Sequence, residues 1–187
     1  MSNTLSRSAL MSAAVLSALM MTATFVAPVQ AKEKTVMVGG AAMYPSKNIV
    51  QNAVNSKDHT TLVAAVKAAD LVDTLSGPGP FTVFAPTNAA FGKLPKGTVE
   101  TLVKPENKAT LTKILTYHVV PGKLAAADLT DGKKLTTVEG EQLTVRNAGG
   151  KVSIVDAKGG TSRVTISNVN QSNGVIHVVN SVLMPAS

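Results

Sequence analysis

The chain has 187 residues, no Cys and no Trp, 3% aromatic residues and a formal net charge of +7. Without Cys it forms no disulfide, uses no thiol chemistry and carries no lipid on an N-terminal Cys. Few aromatic rings leave little for stacking on sugars or single-stranded nucleic acid, and scattered lysines mark a solvated basic surface rather than a nucleic-acid stripe.

Arg7 followed by an apolar stretch from Ala9 to Phe25, and the small-residue site Val29-Gln30-Ala31, predict a signal peptide over residues 1–31 with cleavage after Ala31. The stretch is short and interrupted for a membrane span. Its removal leaves 156 residues, with 17 Lys and Arg against 11 Asp and Glu, a net charge of +6. That length is one domain able to bury a core without staples. Export points to a secreted or periplasmic protein without stable membrane insertion after cleavage.

Residues 32–47, polar with Gly39-Gly40 and Pro45, predict a flexible leader. The domain is expected over 48–186. Ile49, Val50, Ala53 and Val54 recur at helical spacing, and Leu62, Val63, Val66, Ala69 and Leu75 form a second helical stripe. Ser76-Gly-Pro-Gly-Pro80 ends it. Phe81 to Ala85 reads as a buried strand halted at Pro86, with Thr87 or Asn88 capping a helix at Ala89, Ala90 and Phe91. Thr98 caps a short helix, and Pro105 opens another that carries Leu111, Ile114, Leu115 and His118 on one face. Val119-Val120-Pro121-Gly122 leaves it in extended form. Five strands are then expected over 135–138, 142–146, 152–155, 164–166 and 175–183, divided by Gly140, Gly149-Gly150 and Gly159-Gly160. Helices first and hairpins second give an α+β domain with an antiparallel sheet.

Three separated segments carry a resemblance: Phe81-Thr-Val-Phe-Ala-Pro-Thr-Asn-Ala-Ala-Phe91, Tyr117-His118-Val-Val-Pro-Gly122 and Gly174-Val-Ile-His-Val-Val-Asn-Ser-Val-Leu-Met-Pro185. In order and spacing they resemble the two boxes and the Tyr-His pair of the fasciclin-like (FAS1) domain family, over residues 45 to 186. The resemblance implies a FAS1-like fold, an antiparallel β-sandwich or wedge with helices packed on it. It also implies a non-catalytic binding module for cell adhesion or for contact with a cell surface or matrix. Its partner would be a protein or a polysaccharide, with no nucleic acid and an oligomeric state left open. The family associates its Tyr-His motif with partner binding, which makes Tyr117, His118, Val119 and Val120 the candidate partner-binding residues. The residues alone also allow Tyr117 and His118 to be core groups that satisfy their polar atoms internally. Related domains often carry Asp where this chain has Asn180, so a role based on a carboxylate is weakened here.

Other chemistry finds little support. His59, His118 and His177 lie far apart without close ligand spacing, so no metal site is expected. No cofactor motif, nucleophile elbow or phosphate loop occurs, so no catalytic residue is assigned. The aliphatic richness of the chain, at 44% hydrophobic, suggests a second function, a periplasmic carrier of a small apolar ligand or lipid.

Overall fold

The computed structural model describes residues 34–186, and the expected signal peptide lies outside the described residues. The chain runs β1 (Val36–Val38), β2 (Ala41–Met43), α1 (Ile49–Ala53), α2 (Thr60–Ala68), α3 (Val72–Ser76), β3 (Phe81–Pro86), α4 (Asn88–Phe91), α5 (Thr98–Leu102), α6 (Lys108–Tyr117), β4 (Val119–Pro121), β5 (Lys134–Thr136), β6 (Gln142–Ala148), β7 (Lys151–Val155), β8 (Thr161–Gln171) and β9 (Gly174–Val179). Helices and strands are mixed, and the fold is α+β as expected.

β3 to β9 form one seven-stranded sheet in the order β4-β3-β9-β8-β7-β6-β5. Its outer edges approach each other, since the Val138 N–H donates to the Val119 carbonyl at 2.8 Å, and the sheet wraps into a near-barrel. The expected antiparallel sheet needs one correction: β3 and β9 pair parallel, Phe81 opposite Gly174 through Pro86 opposite Val179. The two strands lie at opposite ends of the domain, so the chain between them is long enough for a crossover, which no hairpin pattern reveals. A Cβ on Gly174 would sit 2.0 Å from the Phe81 carbonyl oxygen, so this junction admits only glycine. β8 extends over 11 residues, against the three expected, because bulges between Val164 and Val169 bend it. Its first part pairs with β7 and the rest with β9.

The expected flexible leader is also corrected. Residues 36–43 form the hairpin β1–β2, and its Val38 and Met43 are buried in the core. Their apolar side chains find the helices, and the composition of the segment, mostly small residues, hid that contact. The single helical stripe expected from Leu62 to Leu75 is two helices. Asp70 stands at φ 55°, and the Leu71 N–H closes back on the Val66 carbonyl at 3.0 Å, a helix-ending turn.

Because strand residues alternate, β3 and β9 feed two cores. Val83, Ala85, Ile176 and Val178 face the helices, where they meet Ile49, Leu62, Val66, Leu75, Leu111 and Leu115. Phe84 and Val179 face the interior of the wrapped sheet, with Tyr117, Leu129, Leu143, Val145, Ile154 and Leu183.

Candidate functional site

α6 delivers Tyr117 and His118 at its C-terminal end, and β4 carries Val119 and Val120 directly on from them. All four are buried, Tyr117 at 0%, His118 at 2%, Val119 at 5% and Val120 at 4% exposure. The expectation that they form a contact surface for a partner is therefore corrected: they are interior residues, placed there because the apolar face of α6 continues into an inner strand.

Their polar atoms are used internally. The Leu183 N–H donates to His118 Nε2 at 2.9 Å, which leaves the proton on Nδ1 to donate to the Ile114 carbonyl at 2.7 Å. The ring thus ties the C-terminal segment to α6 and is needed in its neutral form. Burial lowers its pKa to about 4, against the opposing pull of the Ile114 carbonyl and of Asp156. The Tyr117 hydroxyl accepts from the Ala157 N–H at 2.9 Å and donates to the Gln142 carbonyl at 3.3 Å. Burial raises its pKa; the Ala157 N–H works against the rise, and Asp156, Glu141 and Glu139 add to it.

The other two histidines are also interior. His177 is completely buried. It points away from Ile176 and Val178, into the sheet core, stacked on Phe84 with ring centres 5.7 Å apart. The Asn168 N–H donates to its Nδ1 at 3.4 Å, and its Nε2 donates to the Leu124 carbonyl at 2.8 Å. Burial lowers its pKa, opposed by that carbonyl. His59 is 3% exposed and shares one hydrogen bond, 2.9 Å, between Nδ1 and Ser56 Oγ. Burial lowers its pKa too, opposed by the nearby Ala85 carbonyl and the Asp58 charge. Among the described residues, no three His, Asp or Glu side chains converge as metal ligands.

Asn88 follows the capping residue Thr87, whose side chain accepts from the Ala90 N–H at 3.2 Å. Beyond the expected role at a helix start, Asn88 holds the beginning of α2: its Oδ1 accepts from the Thr61 N–H at 3.0 Å, and its Nδ2 donates to the Lys57 carbonyl at 2.8 Å. Asn180 ties adjacent strands, as its residue type suggests, with Oδ1 accepting from the Arg163 N–H at 2.9 Å. Sequence reasoning missed Asp156, a buried carboxylate that accepts from the N–H groups of Lys158, Gly160 and Met184 at 3.1, 2.6 and 3.1 Å. Its signal was present as Asp-x-x-Gly at a strand end, where Asp bonds its own turn. Asn173 was missed as well. Its side chain accepts from the Ile49 N–H at 3.1 Å and donates to the Leu75 and Gly77 carbonyls at 2.8 and 3.0 Å.

In this helix-backed near-barrel the marked Tyr117, His118 and His177 are internal groups bonded to the backbone. Residues 57–185 match the Fasciclin domain. The chain belongs to the fasciclin domain family. It is 49% identical over 168 residues to the protein sll1483 of Synechocystis, covering 90% of each chain. It is 39% identical to the immunogenic protein MPB70 of Mycobacterium bovis, over 71% of this chain and 66% of that one. To the cell surface glycolipoprotein MPB83 of the same species it is 37% identical, over 79% and 64%. Among solved structures, a FAS1 domain pair from the insect cell adhesion molecule Fasciclin I matches with a TM-score of 0.66 at 18% identity, over 75% of this chain and 52% of that one. At that identity the likeness is one of fold.

Proposed function

We propose that this chain is an exported binding module, cleaved after Ala31 and secreted or periplasmic, that works by surface complementarity and without catalysis. The carrying observation is the use of its reactive-looking side chains. Both ring nitrogens of His118 and His177 and the Tyr117 hydroxyl are spent on backbone groups, so they hold the fold and do not present chemistry. Adhesion or contact with a cell surface or matrix is the reading that family membership supports. The names of two relatives, a cell surface glycolipoprotein and a cell adhesion molecule, point the same way. Among the described residues no helix is long and apolar enough to cross a membrane.

The partner is a protein or a polysaccharide, met by exposed residues around the buried Tyr117-His118 motif and not by the motif itself. Immobilised protein incubated with envelope extract of the producing cells tests this at low and at raised salt. Retention that survives raised salt supports a specific interface. Retention lost at raised salt reduces the binding to the general attraction of a net positive surface. No retention at either salt contradicts the adhesion reading.

A further inference from the structure

Between the helices and the sheet lies an apolar cavity of about 50 Å³. β3 and β9 supply its floor with Val83, Ala85 and Ile176, and Leu62, Val66 and Leu75 wall it from α2 and α3. Toward solvent its rim is Val50, Ala53, Val63 and Val72, each only partly buried. By this measure one water needs roughly 10–15 Å³ and two or more polar partners, so the space suits a few carbons better than ordered water.

Four lining residues carry polar side-chain atoms: Ser56, His59, Lys67 and His118. Lys67 is exposed. His118 has both nitrogens bonded, and Ser56 is bonded to His59 Nδ1. That leaves His59 Nε2, which is buried and, among the described residues, has no partner in hydrogen-bond geometry, the Ala85 carbonyl lying near enough only to act on the ring's charge. A buried polar atom without a partner costs free energy, and native proteins tolerate few of them. The Ser56 hydroxyl can donate to Nδ1 or accept from it, so Nε2 is left as either an orphan donor or an orphan acceptor. A hydroxyl group satisfies both cases, whereas a carbonyl satisfies only the first.

We propose that this cavity is a binding site for a slender aliphatic alcohol, its chain lying between the helices and the sheet and its hydroxyl on His59 Nε2. A chain longer than the present space leaves through the partly exposed rim. The site is interior and independent of the surface proposed for adhesion, so either proposal survives failure of the other.

The test is a titration of the protein with 1-hexanol and with 1-fluorohexane, which has nearly the same shape and no hydroxyl. The readouts are the methyl NMR signals of Val63, Leu75, Val83 and Ile176 and the ring nitrogen signals of His59. Both probes are expected to give saturable methyl shifts, only 1-hexanol is expected to move the His59 nitrogens, and 1-fluorohexane is expected to bind about tenfold more weakly, the worth of one hydrogen bond. In His59→Phe, which keeps a ring in place, 1-hexanol should lose its advantage and bind no more tightly than 1-fluorohexane. If that variant does not fold, the comparison of probes on the unaltered protein still decides. No saturable shift at the lining methyls overturns the proposal, as do equal affinities of the two probes for the unaltered protein.

Discussion

The two cores of this domain share two strands and differ in finish. On the sheet side, Leu129, Leu143, Val145, Ile154 and Leu183 are fully buried, and the polar groups among them, Tyr117 and His177, have their hydrogen bonds made. On the helix side, short helices of five to nine residues, α1 to α3, leave a void and a histidine nitrogen without a partner. A wrapped sheet fixes the spacing of its inward side chains through its ladders. Short helices are positioned mainly by the side chains they bury, so their packing against the sheet is more easily left incomplete. The marked segments therefore feed both cores: Tyr117, Phe84 and Val179 close the sheet core, while His118, Val119, Val83, Ala85 and Ile176 border the void.

The largest effects should come from truncating each core. Leu143→Ala removes a fully buried side chain from the closed core and should cost about 4 kcal/mol, whereas Leu75→Ala, which already borders the void, should cost about 2 kcal/mol. Urea unfolding of both variants measures the difference; equal losses would erase the contrast between the cores.

Acid should act next. A histidine whose pKa is lowered on folding leaves stability unchanged above its unfolded pKa and removes stability below it, because only the unfolded chain then takes up the proton. For His118 the window runs from 6.5 down to about 4, and its contribution to the loss across that window is about 3 kcal/mol. His59 and His177 are lowered in the same direction and steepen the fall. Unfolding free energies measured from pH 7 to pH 4 should decline, and a flat profile would show that the rings reach solvent.

Gly174→Ala should cost roughly 1–3 kcal/mol, because its Cβ meets the Phe81 carbonyl across the parallel pair, and thermal unfolding reads the loss. The smallest contrast is between histidines. His118→Phe should cost about 2 kcal/mol, since the Leu183 N–H is stranded in the core. His59→Phe gives up one bond to Ser56 and removes an unpaired nitrogen, so its cost should stay under about 1 kcal/mol. Thermal melts of the two variants side by side sharpen the comparison; a larger loss at His59 would reverse it.

Much of the fold was legible because it rests on local signals. The stop at Pro86, the cap at Thr87 and the glycine turns between hairpins place β3, α4 and β5 to β7 near their observed bounds, whereas the bulged β8 runs well beyond its expected span. The parallel pairing of β3 with β9 was not legible, since Phe81 and Gly174 meet only through the crossover. The hairpin at Val36–Met43 was hidden by glycines and small residues that look like a leader. At the site, the pattern gave Tyr117 and His118 as a marked pair and could not give their burial, which depends on the Leu183 and Ala157 N–H groups far along the chain. His59 gave no signal, because an unpaired nitrogen is a property of the packed interior.

The central claim is that the Tyr117-His118 motif is internal framework and that partners meet the surface around it. Nitrogen-detected NMR titration of the three histidines tests it most directly. The account predicts that His118 stays neutral, with its proton on Nδ1, down to about pH 5. A His118 that titrates near 6.5 would place the ring in solvent, within reach of a partner, and would contradict it.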